Sequence, residues 1–375
     1  MKFNVASKAL QQQLGAVSKV INTKNAMSIL DNFLLRVDGD KLIITGSDQE
    51  NTMTASVDIM DVEGEGVIAV PAKRLLDMLK EVSGQGLTFY INDDTKEIDI
   101  NYLNGHFNFM GINGDEYPQK QILEGATQTF TIPALTLQKG LENSLFAAST
   151  ETIRPIMTGV YWDITEDAIT FVASDTHKLV RYINTESKPG LTASFVMPPK
   201  PAGILRNIIS KTSSDIEITM DEKSATFKFD TYTLSCLFIN GVYPNYNRVI
   251  PQDNPFELTV DRVSFLNGMR RVALFASMAS SLVKLNLRPN EMLLSSQDSD
   301  YSTSAEERLD CEYQGNTMTI GFNASYMIEV LSNLNHDTII MKLSDPTRPG
   351  IFVPLAQKEN ENMLILLMPM QILDY

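Results

Sequence analysis

A chain of 375 residues is too long for one ordinary hydrophobic core and calls for two or three domains. Its 43% hydrophobic and 21% charged residues describe a soluble globular protein rather than a disordered one, and its net charge of −15 argues at face value against nucleic-acid binding, which usually leaves a basic footprint. Two cysteines, Cys236 and Cys311, with no CxxC spacing and no histidine beside them, fit reduced thiols in a cytoplasmic protein and exclude a disulfide framework.

The opening residues Met1–Leu10 lack the apolar run of a secretory signal. The longest apolar stretch, around Met363–Met370, is far short of the ~18 residues of a membrane span.

Phe3-Asn4-Val5 opens a short alternating segment that reads as a strand, and Leu10, Leu14 and Val17 then recur at helical spacing. Phe33, Leu35 and Val37, followed by Leu42 and Ile44, alternate as a strand pair with one buried face, ending in Gly46-Ser47-Asp48. Val70-Pro71-Ala72-Lys73 starts a second helix, with proline suited to its first turn, and Tyr117-Pro118 closes the unit. The order then recurs. Phe130-Thr131-Ile132 lies 127 residues on, followed by Leu137, Leu141 and Leu145, then Ala173-Ser174-Asp175, Met197-Pro198-Pro199-Lys200 and Tyr243-Pro244. Phe256-Glu257-Leu258 begins a third copy 126 residues later, with Phe265, Leu266, Met269 and Val272, Ser296-Gln297-Asp298, and Phe322-Asn323-Ala324-Ser325 in the same order.

Matches kept in register over the whole chain define three homologous domains, placed at 1–124, 125–251 and 252–375. Each copy reads as strand, helix and several strands, twice over. That is an α+β domain with two helices on antiparallel sheets and about eight strands. A period of about 125 residues is far above that of a solenoid.

The charge is unevenly spread. Six helical windows (6–24, 71–83, 133–149, 198–212, 260–275 and 324–336) hold 13 basic residues against 5 acidic ones, so they carry +8 and the remainder −23. Equivalent helices of repeated domains share one surface, where this charge would add up. An acidic exterior with a basic lining repels DNA everywhere but inside.

Ser174-Asp175-Thr176-His177 contains the letters of a hydrolase, but four successive residues after a strand do not converge as a triad must. Asp48, Asp175 and Asp298 fall in three different domains and read as turn formers rather than metal ligands. His106 and His336 have no ligand spacing, and no phosphate-binding glycine loop occurs. No catalytic residue, metal or cofactor is expected. From the residues alone, an acidic hydrolase of three domains and a scaffold that binds proteins but not DNA remain as alternatives.

Met1-Lys2-Phe3, Val70–Lys73, Ala173-Ser174-Asp175-Thr176-His177-Lys178-Leu179, Tyr243-Pro244-Asn245-Tyr246, Gly321–Tyr326 and Met368-Pro369-Met370 are together similar to the beta subunit of bacterial DNA polymerase III, the sliding clamps. The likeness runs from residue 1 to about 371. It implies a head-to-tail homodimer, six domains in a ring around double-stranded DNA, with helices lining the hole. It also implies cytoplasmic, nucleoid-associated work with a replicative DNA polymerase, a clamp loader and other proteins carrying short clamp-binding motifs.

The family's peptide pocket falls on Met157, Ser174, Thr176, His177, Lys178, Leu179, Pro244, Arg248, Val249, Asn323, Tyr326, Leu366, Met368 and Pro369, with Thr347 and Pro349 on a nearby loop. Its DNA contacts fall on Lys24, Lys73 and Lys200, and its subunit interface on Phe107 and Phe109 against Leu274 and Phe275. The chain departs from the family at Glu151, Pro155 and Ile156, where DNA-touching polar and aromatic residues are usual. It has Lys178 where arginine is frequent, and it continues through Gln371–Tyr375 beyond the usual end.

Overall fold

The structure, a computed structural model, describes residues 1–118, 123, 125–210, 212 and 214–372. Lys211, counted above among the helical bases, and Leu373–Tyr375 of the C-terminal extension lie outside the described residues.

The first repeat holds β1 (Lys2–Ala6), α1 (Ser7–Val17), β2 (Asn32–Asp38), β3 (Lys41–Ser47), β4 (Asn51–Asp58), β5 (Met60–Glu63), β6 (Gly66–Pro71), α2 (Ala72–Glu81), β7 (Gly86–Ile91), β8 (Glu97–Tyr102), β9 (Gly105–Met110) and β10 (Ile112–Asn113). The second holds β11 (Gln128–Pro133), α3 (Ala134–Ser144), β12 (Val160–Thr165), β13 (Ala168–Ser174), β14 (Lys178–Asn184), β15 (Ala193–Met197), α4 (Pro199–Ile209), β16 (Asp215–Met220), β17 (Ser224–Phe229) and β18 (Tyr232–Leu237). The third holds β19 (Phe256–Asp261), α5 (Arg262–Ala273), β20 (Leu282–Arg288), β21 (Glu291–Asp298), β22 (Thr303–Asp310), β23 (Glu312–Gln314), β24 (Met318–Asn323), α6 (Ala324–Asn333), β25 (Thr338–Leu343), β26 (Gly350–Pro354) and β27 (Glu361–Leu367).

Each repeat thus begins strand then helix, as the phenylalanine openings indicate. The helices bury one stripe: Leu10, Leu14 and Val17 of α1, and Phe265, Leu266, Met269 and Val272 of α5. The later helices are capped by side chains. Asp261 accepts from the amide of Ser264 at 2.7 Å, and Asn323 from those of Ser325 and Tyr326. The prolines sit one place earlier than the first helical turn. Pro71 is the residue before α2, still extended at φ −54° and ψ 112°, and Pro198 precedes Pro199, which opens α4. Each strand runs directly into its helix, and a fixed φ suits that corner.

Strand pairing does not respect the repeats. One compact unit comprises Met1–Leu135 and Lys200–Phe238, the other Thr136–Pro199 and Ile239–Tyr375. The first unit contains a five-stranded sheet, β5-β1-β7-β8-β9, and a nine-stranded sheet, β10-β6-β2-β3-β4-β18-β17-β16-β11. The second contains a nine-stranded sheet, β15-β12-β13-β14-β27-β26-β25-β19-β23, and a four-stranded one, β22-β21-β20-β24. The expected middle domain is therefore divided between the two units. In each nine-stranded sheet a ladder joins successive repeats: Asn51–Ala55 of β4 opposite Cys236–Tyr232 of β18, and Lys178–Asn184 of β14 opposite Leu367–Glu361 of β27.

Two helical glycines respond oppositely to the same substitution. A Cβ on Gly140 of α3 would land on the ring of Phe171, which is fully buried on β13. A Cβ on Gly203 of α4 would meet nothing within 4 Å. Gly140→Ala should cost about 1–3 kcal/mol through overpacking, whereas Gly203→Ala should gain roughly 0.5–1 kcal/mol by favouring the helix. Urea unfolding of the two variants checks both signs.

Candidate functional site

The polar signature after the central strands builds the same turn three times. Asp48 Oδ1 accepts from the amides of Glu50 (3.1 Å) and Asn51 (2.7 Å), Asp175 Oδ1 from His177 (2.9 Å) and Lys178 (2.8 Å), and Asp298 Oδ1 from Asp300 (3.0 Å) and Tyr301 (3.3 Å). These aspartates form turns, as their spacing indicates. In the first two copies the next residue, Gln49 or Thr176, takes a left-handed φ of 79°. That conformation is strained for a β-branched threonine and is held by the bonds on either side.

Around the second of these turns the chain gathers several expected pocket residues. Lys178, only 4% exposed, donates to Asp175 Oδ2 at 2.5 Å and Glu329 Oε2 at 2.9 Å, with its ammonium 4.9 Å from the centre of the Tyr326 ring. Burial pushes its pKa down, but hydrogen bonds and attraction from the two carboxylates outweigh burial and leave it above the usual lysine value. The His177 ring stacks on Tyr326 at 5.1 Å, and its carbonyl accepts from the amide of Met368 at 2.8 Å. Beyond Pro369, the amide of Met370 donates to Gly321 at 2.8 Å, fastening the chain after β27 to β24. Ser174 spends its hydroxyl on the carbonyl of Lys178 at 2.8 Å, so serine and histidine here form no nucleophile–base pair.

A cavity of about 240 Å³ opens beside this turn, lined by His177, Lys178, Tyr326, Asp175, Glu329 and residues of the segment 146–151. Leu179 and Leu366 do not line it. They face each other across the β14–β27 ladder, 4% and 3% exposed, in a cluster with Val172, Tyr246, Ile250 and Ile351. Val249 is 54% and Met368 40% exposed, and Pro244 and Arg248 are exposed as well. Met157 is buried at the end of the short helix Pro155–Met157, its carbonyl accepting from Ser149 at 2.9 Å. Asn323 caps α6 and also donates to the carbonyl of Ser280 at 3.3 Å. On the loop between β25 and β26, Thr347 is exposed and tied to Asp345, while the carbonyl of Pro349 accepts from Asn254.

Sequence reasoning missed Glu329, Tyr246 and Ile250. The spacing of Glu329, three residues after Tyr326 on α6, was the available signal for the first. For the other two, only the fold brings the segment after Pro244 onto the sheet.

The expected DNA contacts divide. Lys24 and Lys73 are exposed and in no ion pair among the described residues, though Lys24 lies in the loop after α1 rather than on the helix. Lys200 behaves otherwise. Its ammonium pairs with Asp48 Oδ2 at 2.5 Å and also donates to Asn22 Oδ1 at 2.6 Å and the carbonyl of Val20. Its ammonium is thus held by three acceptors inside the first unit. Other helical bases are also engaged: Arg271 with Glu307, Lys139 with Glu361 and Lys80 with Asp77.

Of the expected interface residues, Phe107 and Phe109 do share one face of the edge strand β9. That face turns inward, with Phe109 6% exposed and Phe107 stacked on Tyr102 at 4.9 Å. Leu274, 80% exposed, and Phe275 project from the end of α5. No cluster of histidine, cysteine, aspartate and glutamate able to hold a metal occurs among the described residues, and no described helix is long and apolar enough to cross a membrane.

Three repeats, each with two helices and antiparallel strands, and with strands hydrogen-bonded from one repeat into the next, define the class: a three-domain DNA clamp fold. Models of the N-terminal, central and C-terminal domains of the DNA polymerase III beta subunit match residues 1–121, 131–245 and 247–371. The beta sliding clamp of Synechococcus elongatus is 28% identical over 380 residues, 99% of this chain and 100% of its own. Among solved structures, a sliding clamp from Pseudomonas aeruginosa bound to griselimycin superposes with a TM-score of 0.93 at 22% identity, and one from Bartonella birtlesii with 0.91 at 26%, each covering 99% of this chain and 100% of the other. The chain belongs to the DNA polymerase III beta subunit family and is a DNA sliding clamp.

The Lys200 geometry has a direct test. Lys200→Ala leaves Asp48, whose side chain is 5% exposed, without its cation. It should lower stability by about 1–3 kcal/mol while leaving salt-dependent DNA association unchanged, as urea unfolding and loading assays would read.

Proposed function

We propose that this clamp works as a head-to-tail homodimer, a ring of six domains bounded near 1–124, 125–251 and 252–375, that encircles duplex DNA. The carrying observation is a ladder that is present twice and missing once. The strand after the first polar turn, β4, pairs with the last long strand of the second repeat, β18, and its equivalent β14 pairs with β27 of the third. Their counterparts, β22 of the third repeat and β9 of the first, are both unpaired edges of their sheets. Pairing β22 of one copy with β9 of another repeats the ladder a third time, and head-to-tail contacts of this kind close into a ring when the rotation allows. Leu274 and Phe275, with Phe107 and Phe109 behind the β9 edge, are the apolar residues assigned to that contact.

The ring acts without catalysis. Lys24 and Lys73, with other exposed bases of the helices, attract phosphates without reading sequence. The attraction is felt over roughly 8 Å at physiological salt, and topology supplies the retention. Replicative polymerase, clamp loader and other motif-bearing proteins dock at the surface formed by Val249, Met368, Pro244, Arg248 and the His177–Tyr326 stack. Met157, Leu179 and Leu366 form the base beneath it, Ser174, Thr176 and Lys178 the turn, Asn323 and Pro369 the flank, with Thr347 and Pro349 nearby. Work on the chromosome places the ring in the cytoplasm at the nucleoid.

Burying two large apolar side chains of a peptide gives about 1.5–3 kcal/mol each, against roughly 8 kcal/mol for micromolar affinity, so the remainder falls to backbone and polar contacts. A peptide with glutamine followed by leucine and phenylalanine should bind at roughly micromolar Kd, weakened about tenfold or more by Met368→Ala. Calorimetry with no heat from the intact protein, or with unchanged affinity in the variant, refutes the docking surface.

Assembly and topology are tested separately. Leu274→Asp should convert a dimer to monomers in sedimentation at micromolar concentration, and a native protein already monomeric there rules out the missing-ladder argument. Loaded clamp should persist on closed circular DNA and slide off linear DNA, with Lys24→Ala and Lys73→Ala shortening its retention modestly. Equal lifetimes on the two substrates exclude the ring.

A further inference from the structure

The sheet face that holds Leu179 and Leu366 continues past that cluster. Alternation along β14, β27 and β26 sets Arg181, Leu364 and Val353 side by side, and they floor a cavity of about 260 Å³ walled by Asn254 and Lys342. None of the residues assigned to the peptide-docking surface lines it.

Two polar atoms of this lining are buried with no hydrogen-bond partner: Arg181 Nε and Asn254 Oδ1. Neither is free to turn to a partner elsewhere. Asn254 Nδ2 donates to the carbonyls of Lys342 and Pro349, both at 3.0 Å. Exchanging nitrogen and oxygen would face an acceptor with two acceptors, so the amide orientation is fixed. The guanidinium of Arg181 is held by Nη2 donating to Asn362 Oδ1 at 3.0 Å, and it has no carboxylate partner among the described residues. An unmet donor on a cation and an unmet amide acceptor, on two residues that line one cavity, are groups a folded interior rarely leaves without partners.

The chemistry of an occupant follows from these groups. It needs an acceptor, best charged, for Arg181, a donor for Asn254, and an apolar body for Leu364 and Val353. A phosphate ion supplies no apolar body. Lys342 is already paired with Glu257 at 2.8 Å, so one negative charge suffices.

We propose that this cavity binds the carboxyl-terminal residue of a peptide. The carboxylate accepts from Arg181, the peptide N–H donates to Asn254, and an aliphatic side chain lies on the sheet. This site is additional to the docking of internal motifs and does not depend on it.

The test titrates the full-length protein with N-acetyl-L-leucine and, separately, N-acetyl-L-leucinamide, which differs only in lacking the carboxylate, by ligand-observed NMR. The acid should bind at roughly millimolar Kd and the amide about tenfold or more weaker. Arg181→Gln should weaken the acid to the level of the amide. Val353→Phe, which fills the floor without touching a charge, should weaken both, while Met368→Ala should change neither. The proposal is overturned if the acid shows no saturable binding, the cavity then holding water only. It is equally overturned if acid and amide bind alike, or if both Arg181→Gln and Val353→Phe, folded by their melting curves, bind the acid as the parent does.

Discussion

Everything this clamp assembles rests on the hydrogen bonds between strands of different repeats. A repeat on its own leaves long strands at its sheet edges, each a row of unmet donors and acceptors. The β4–β18 and β14–β27 ladders close four such edges by making one repeat the neighbour of the next, and so extend each nine-stranded sheet across a repeat boundary. The second ladder sets Leu179 opposite Leu366 and carries Met368 out to the carbonyl of His177, so the docking surface we propose rests on the join. A site made at a join has the rigidity of a sheet beneath it, while its exposed members, Val249 and Met368, stay adaptable.

Electrostatics works against binding and for it at once. A net charge of −15 would repel a duplex approached from outside, so attraction must come from bases that are not already paired. Several helical bases are spent within the fold, Lys200 on Asp48 most completely. The free charge is smaller than the formal count, which suits a protein that must hold DNA loosely enough to move along it.

Much of the fold is legible in the residues. The phenylalanine openings mark three strand–helix starts, and the three turn aspartates bond as their spacing suggests, because both features depend on neighbours in sequence. What is not legible depends on partners far along the chain. Nothing near Lys200 reveals that Asp48, some 150 residues earlier, waits for its ammonium. Period-two alternation puts Phe107 and Phe109 on one face but does not say that this face turns inward. Leu179 and Leu366 read as pocket walls, yet Tyr246 and Ile250 pack with them, since the course of the segment after Pro244 is decided by tertiary packing alone. The three repeats and the two compact units are different divisions of one chain: repeats are drawn in sequence, and sheets are drawn in space.

The β14–β27 ladder joins residues 177 to 189 positions apart, and the equivalent pairs of the other nine-stranded sheet are nearly as distant. Contacts of such long range form late, because a long loop must close before any of them is made. On a ribosome, β14 emerges well before its partner and spends that interval as an open edge rich in apolar residues, Leu179, Val180 and Ile183 among them. A nascent chain stalled before Glu361 would present that edge to any other strand in reach. The time needed to translate the stretch between Asn184 and Glu361 therefore sets how long that edge stays open.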